Sequence, residues 1–306
     1  PKYWPRSRRR MKIEDVIVIG GGPAGMAVAI QLKRYGITPL LFEKGHLGGL
    51  LKNANLVENY PGFPGGIKGT KLIGLFVEQF TSLALSLIQE QVINVHFEQE
   101  LFRVYTPQAD YRARVLVIAS GTRPRSFREL TIPPELVHRV HYEVYPLQDE
   151  RGRTIAIIGA GDAAFDYGLN LARHNTVFIL NRGRVIKCLP LLWQRAQANA
   201  QIQYFDNLKV LQILPGTEKA CRLVCERPTE QLDFHVDYLI GAIGREAHTD
   251  FLSDPIRQAQ DTLQARGLLY FIGDVTNDIY RQTAIAVGDG IKAAMQIYQK
   301  LSEAEP

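Results

Sequence analysis

Two kinds of hydrophobic pattern alternate along this chain. Asp15-Val-Ile-Val-Ile-Gly20, Arg114-Val-Leu-Val-Ile-Ala119 and Thr154-Ile-Ala-Ile-Ile158 are short and apolar throughout their interiors. Such runs predict parallel strands buried on both faces. Further strands are read at Thr38 to Glu43, Val92 to Glu98, Leu101 to Tyr105, Thr176 to Leu180, Val236 to Gly244 and Gly267 to Asp274. Between them, apolar residues recur three or four apart in Ala24 to Tyr35, Thr70 to Gln89, Asp162 to Arg173 and Ala284 to Leu301, which predicts helices. Gly45 to Gly69 is rich in Gly, Asn and Pro and reads as a long functional loop.

Strand, helix and strand follow one another twice, beginning at Asp15 and again about 140 residues later at Thr154. That recurrence predicts an α/β protein with two Rossmann-like dinucleotide-binding domains of the three-layer ββα type. A length of 306 residues suits two domains. With 46% hydrophobic and 22% charged residues the composition is that of a soluble globular chain. No apolar run reaches the roughly 18 residues of a membrane span, and no secretory signal is read. The expectation is a cytoplasmic protein. The net charge of +5 comes from residues 1–10, where Lys2, Arg6, Arg8, Arg9 and Arg10 stand without an acid. Without those five the count is 31 basic against 31 acidic residues, so this is a basic tail and not a nucleic-acid groove.

Gly20-Gly-Gly22-Pro-Ala-Gly25 joins the first strand to the first helix. The chemistry needs each glycine: Gly20 for the tight turn, Gly22 for close approach of a pyrophosphate, Gly25 for helix–strand packing. Glu43 ends the next strand, where an acid can accept hydrogen bonds from ribose hydroxyls. Gly159-Ala-Gly161-Asp162-Ala163-Ala164 repeats the arrangement, but its next strand ends at Asn181 without an acid. Arg182, Arg184 and Lys187 follow. Loss of the acid and gain of bases favour a ribose 2′-phosphate, hence NADPH; a solvated basic loop has equal weight. Asp274 closes the last strand, where it suits either a flavin's ribitol or a helix cap.

These pieces resemble the low-molecular-weight thioredoxin reductase family over Met11 to Leu301. The resemblance rests on Gly48-Gly49, on Asn55-Leu-Val-Glu-Asn-Tyr-Pro-Gly-Phe-Pro-Gly65, on Ser120-Gly121 and on the stretch from Gly273 to Gly288. It implies a homodimeric FAD-dependent oxidoreductase. Residues 11–123 and 244–306 would form a discontinuous FAD domain, with a second dinucleotide domain inserted at 124–243. FAD would be held by Gly20, Gly22, Pro23, Ala24, Gly25, Glu43, Gly49, Asn59, Val95, Gly121, Asp274, Gln282 and Thr283. The second nucleotide would lie on Gly159, Gly161, Asp162, Ala163, Ala164, Arg182, Arg184, Lys187 and Gly244.

One departure matters for chemistry. The family places the second cysteine of a Cys-x-x-Cys fourteen residues before the second glycine motif. That position here is Tyr145, and its mate is Tyr142. The tyrosines read equally as shields for a flavin ring or as fillers of the space left by the dithiol. Cys188, Cys221 and Cys225 are the chain's only cysteines. Four residues along a strand span about 13 Å, which keeps Cys221 and Cys225 beyond disulfide reach. No Cys or His set has metal-ligand spacing. Dithiol-free ferredoxin–NAD(P)⁺ reductases of this type share Gly161-Asp-Ala-Ala-Phe-Asp166 and Arg182-Gly183. Diflavin-linked disulfide oxidoreductases, with a second FAD in place of NADPH, are the other resembling group. The expected activity is electron transfer between a dinucleotide and a redox partner protein or small acceptor, distinct from a conventional thioredoxin reductase.

Overall fold

The computed structural model describes residues 12–303; the basic tail lies outside them. The first sheet is built on β1 (Ile13–Ile19), with β2 (Leu40–Phe42) and β3 (Ser86–Ile88) parallel on one side. β6 (Asp110–Ile118) lies parallel on the other. The far edge of β6 is shared. Its first half pairs antiparallel with β5 (Leu101–Tyr105), which carries β4 (Asn94–Glu98); its last three residues pair parallel with β17 (Leu269–Phe271). Apolar residues go to both faces of the central strands. Val16, Val18, Val115 and Val117 enter one core, with α1 (Pro23–Arg34) and α7 (Thr283–Ser302) packed over it. Ile17, Ile19, Leu116 and Ile118 enter the other, under α5 (Asp254–Gln258) and α6 (Gln260–Ala265). That two-sided burial is why Val16 to Ile19 and Val115 to Ile118 are continuously apolar. α1 and α7 cross closely, because a Cβ on Gly290 would stand 2.5 Å from the Ala24 carbonyl oxygen.

The second sheet is parallel, in the order β11 (Ile202–Phe205), β10 (Thr176–Leu180), β9 (Thr154–Ile158), β15 (Tyr238–Gly241), β8 (Val140–His141). Ile155, Ile157, Val177 and Ile179 face α3 (Asp162–Leu171) and α4 (Pro190–Gln197). Ala156, Leu180 and Leu239 face an antiparallel sheet of β12 (Lys209–Pro215), β13 (Cys221–Arg227) and β14 (Glu230–Val236). This is the expected sheet–sheet–helix layering. β7 (Thr122–Pro124) and β16 (Arg245–Ala247) pair antiparallel where the chain passes between the two sheets.

Two expected elements are corrected. The helix read over Thr70 to Gln89 is α2 (Gly69–Ser82), followed by β3. Thr81 and Ser82 turn their hydroxyls back onto the Val77, Glu78 and Gln79 carbonyls, and Ala84 takes a left-handed φ of 48°. Pairing of Leu87 with Leu41 then decides for strand. The run Val236 to Gly244 is also divided. At Asp237 the chain leaves β14 and enters β15. Its carboxylate accepts the Thr154 N–H at 2.8 Å and the Lys219 ammonium at 3.0 Å.

Candidate functional site

The first glycine turn joins β1 to α1. Gly20 has φ +109°, and a Cβ there would lie 2.3 Å from the Ala119 carbonyl oxygen. At Gly25 a Cβ would lie 1.9 Å from the Gly20 oxygen, whereas at Gly22 it would meet nothing within 4 Å. The turn is therefore closed on the strand side and open beyond Gly22. Pro23 starts α1, followed by Ala24. Glu43 accepts the Gly21 and Gly45 N–H groups, each at 2.8 Å, one on each carboxylate oxygen. Gly49 comes over the turn, 3.2 Å from the Gly22 Cα when given a Cβ. Gly121 follows β6 with φ +63° and open space beside it.

β17 delivers Asp274 to the same end of the sheet. Among the described residues no protein group donates to its carboxylate. Burial pushes its carboxyl up, and Arg281 and then Arg245 pull it back down. The Arg281 Nε is buried without a partner. Gln282 precedes α7, Thr283 opens it, and the Asn59 amide donates to Gln282 at 2.8 Å. An open glycine turn, an unfilled carboxylate and an orphan guanidinium fit a ligand carrying both phosphates and hydroxyls, as FAD does.

Val95 does not join this group. Its side chain is fully buried, its N–H donates to the Phe251 carbonyl at 2.8 Å, and its own carbonyl accepts from Ser253. Glu90, which the sequence does not single out, carries an unpaired group. One of its oxygens is buried without a partner, just after β3, where neighbouring Gln89 bonds the Gly45 carbonyl. No sequence signal marks Glu90; Arg281 stands inside a stretch already singled out.

The second turn repeats the geometry. Gly159 has φ +135° with its absent Cβ 2.3 Å from the Ala242 oxygen, and Gly161 faces open space. Asp162 and Ala163 are exposed on the first turn of α3, and Ala164 is buried behind them. Backbone bonds hold the following loop to this turn: Lys187 N–H donates to the Ala160 carbonyl and Leu189 N–H to the Asp162 carboxylate, at 2.9 and 2.7 Å. Asn181 points inward. It donates to the Val185 carbonyl and the Tyr204 hydroxyl and accepts from the Gly183 N–H. Arg182, Arg184 and Lys187 are exposed, without an acidic partner among the described residues. Gly244 lies apart, at φ +101° beside β16.

Tyr142 packs its ring against Gly241 and Phe127, and its hydroxyl accepts the Phe127 N–H at 3.4 Å. That favours the filling role. Tyr145 is 38% exposed under the Lys52 ammonium, 5.1 Å from its ring centre. All three cysteines are free. Burial pushes the Cys188 and Cys221 thiols up and that of Cys225 up to about 12. None is a ready thiolate. Among the described residues no three His, Cys, Asp or Glu side chains cluster as a metal site.

The family model described as pyridine nucleotide-disulphide oxidoreductase matches residues 14–290. A bifunctional thioredoxin reductase/thioredoxin from Mycobacterium leprae is 32% identical over 95% of this chain, which spans 66% of that longer protein. Thioredoxin reductase of Mycolicibacterium smegmatis is 28% identical over 95% of this chain and 97% of its own length. The crystal structure of Lactococcus lactis thioredoxin reductase in its FR conformation superposes with a TM-score of 0.83 at 26% identity, covering 95% of this chain and 99% of that one.

Proposed function

This chain belongs to the pyridine nucleotide-disulphide oxidoreductase family as an FAD-dependent enzyme of thioredoxin reductase type, using FAD and NADPH, and we propose that it passes electrons to an acceptor other than a dithiol at Tyr142 and Tyr145. The observation that carries the reading is the pair of open glycine turns combined with the burial of Cys221 and Cys225 in a structural core. Flavin-to-disulfide exchange needs an accessible low-pKa thiol, and the Tyr142–Tyr145 segment has none.

FAD supplies the hydride-accepting chemistry when bound. Gly20, Gly22, Pro23, Ala24, Gly25 and Gly49 would cradle its pyrophosphate and Glu43 its ribose. Asp274 would bind the ribitol, with Gly121, Asn59, Gln282 and Thr283 nearby. Gly159, Gly161 and Asp162 to Ala164 would receive the NADPH pyrophosphate, with Arg182, Arg184 and Lys187 at the 2′-phosphate. Gly244 would contribute only through the bend of the β7–β16 ribbon. That ribbon supports domain boundaries at 123/124 and 243/244, and three free cysteines support a reducing, cytoplasmic setting. Ile291, Met295 and Tyr298 form an exposed apolar stripe on α7, beside a groove of about 260 Å³ between α1, α2 and α7. The stripe supports homodimerisation, which sedimentation of the purified chain would check.

The deciding experiment adds NADPH without oxygen and counts flavin released per chain. Bleaching with one flavin per chain is expected. Unbleached flavin over minutes defeats the NADPH reading. Two flavins per chain would replace it with the diflavin reading. A redox protein or quinone-like molecule is the acceptor class, and reoxidation of the bleached flavin by each candidate would identify it.

A further inference from the structure

The long loop after the first glycine turn reaches across to the second dinucleotide unit at successive points. Asn53 is 3% exposed and sits between the two. Its Oδ1 accepts the Tyr145 N–H at 3.0 Å, and its amide donates to the Glu143 carboxylate at 3.3 Å. Two residues on, Asn55 donates its N–H to Asp166 at 2.9 Å and accepts from Arg173 at 2.5 Å. Three further on, Glu58 receives a two-pronged bond from Arg195 at 2.6 and 2.9 Å. Glu143 is also held by Arg245 at 3.5 Å, and Arg245 is itself anchored on Thr122.

We propose that Asn53 to Glu58 and the thiol-free segment Tyr142 to Tyr145 form one polar clasp that fixes the two dinucleotide units in a single working orientation. The clasp grips α3 through Asp166, the turn just after it through Arg173, and α4 through Arg195. The N-terminus of α3 is the second glycine turn, so holding the helix aims the nucleotide site. Asn53, Asn55, Glu58 and Glu143 are thus positioning residues for hydride delivery, a role that rests on the proposed function.

A buried amide bonded through both its oxygen and its nitrogen, as Asn53 is, is costly to separate, since its partners would lose matched bonds. Each bond contributes roughly five-fold to the held population, and several acting together leave little of any other arrangement. This gives the dithiol-replacing segment a task of its own. It locks the units together with a glutamate and a backbone N–H.

The test measures distance between spin labels on Thr262→Cys and Gln231→Cys, exposed positions on α6 and β14, in a Cys188→Ser background. Labelled chain is diluted into excess unlabelled chain so that only within-chain pairs are read. One narrow distance, unmoved by NADPH, is expected. Glu58→Arg should broaden it, and Glu58→Arg with Arg195→Glu should restore it. Asn53→Ala with Glu143→Gln should broaden it further and slow anaerobic bleaching by about 10²-fold, as misplacement of reactants by an ångström does. NADPH affinity, measured separately, should stay the same. Two interchanging distances in the unmodified chain, or a narrow distance in both clasp variants, would overturn the proposal. Because the parent and clasp variants are compared without NADPH, the distance result stands even if the flavin fails to bleach, which would count against the proposed function alone.

Discussion

The two glycine turns of this chain share a backbone and differ in the side chain that closes the next strand. In the first, Glu43 ends β2 and its carboxylate ties down the turn through Gly21 and Gly45. In the second, Asn181 ends β10 and spends its donors on Val185 and Tyr204. One side chain serves the ligand side of its turn, and the other serves the loop behind it. The strand–turn–helix frame therefore fixes where a dinucleotide lies. On the proposed function, the residue closing the next strand, and the loop it organises, select which one.

The largest expected effect tests the shared backbone. Gly25→Ala would drive a Cβ into the Gly20 carbonyl, where nothing can give way. The expected cost exceeds about 4 kcal/mol, with loss of bound flavin. Gly22→Ala adds its methyl to open space. That variant should melt like the parent and retain less flavin. Melting curves and flavin absorbance read both, and equal damage from the two would break the distinction between closed and open sides.

Next in size is a pH effect at α3. Asp166 lies between the units. Burial raises its carboxyl to about 6, with Asp162 and Glu58 adding to the rise, while the Asn55 N–H and Arg173 oppose it. A raised folded pKa means the protonated form is favoured in the folded chain. Its contribution is full below the unfolded, solvent-exposed group's pKa of 3.8 and is lost as pH rises through about 6. Two units correspond to roughly 3 kcal/mol at most. Between about pH 4 and pH 7, the parent should therefore lose more stability than Asp166→Asn. Parallel melting curves for the two would remove Asp166 from the account.

Asn181→Asp puts the first turn's chemistry into the second. Were a missing acid the whole difference, this variant would gain NADH preference. The structure predicts otherwise, since the carboxylate cannot donate to the Val185 carbonyl. A loss of about 2 kcal/mol and poorer use of both nucleotides are expected in melts and bleaching rates. The smallest effect belongs to the exposed bases. Arg182→Ala or Arg184→Ala should each cost about 1.4 kcal/mol, a ten-fold rise in the NADPH dissociation constant, with NADH nearly unaffected. An equal loss for both nucleotides would place these arginines away from the 2′-phosphate.

Much of this was legible from the chain because strand segments buried on both faces must be apolar, and Val16 to Ile19 of β1, Val115 to Ile118 of β6 and the interior of β9 are. The glycine turns were legible because few residues other than glycine tolerate φ near +109° or +135° against a neighbouring carbonyl. β3 was not, because a run of apolar residues after α2 fits either helix or strand until β2 supplies a partner. The setting of Val95 was hidden for a related reason: only the fold shows its backbone bonded to Phe251 and Ser253. The bonds from Asn53, Asn55 and Glu58 join residues 90 to 137 positions apart, which no local pattern encodes.

The loop from Arg182 to Leu189 is tied to the second turn by its own N–H groups at Lys187 and Leu189, bonded to the Ala160 carbonyl and the Asp162 carboxylate, while its basic side chains are exposed with no acidic partner among the described residues. Its path and its charge are thus set by different atoms. A lineage can exchange those charges one codon at a time without first having to reinvent the loop.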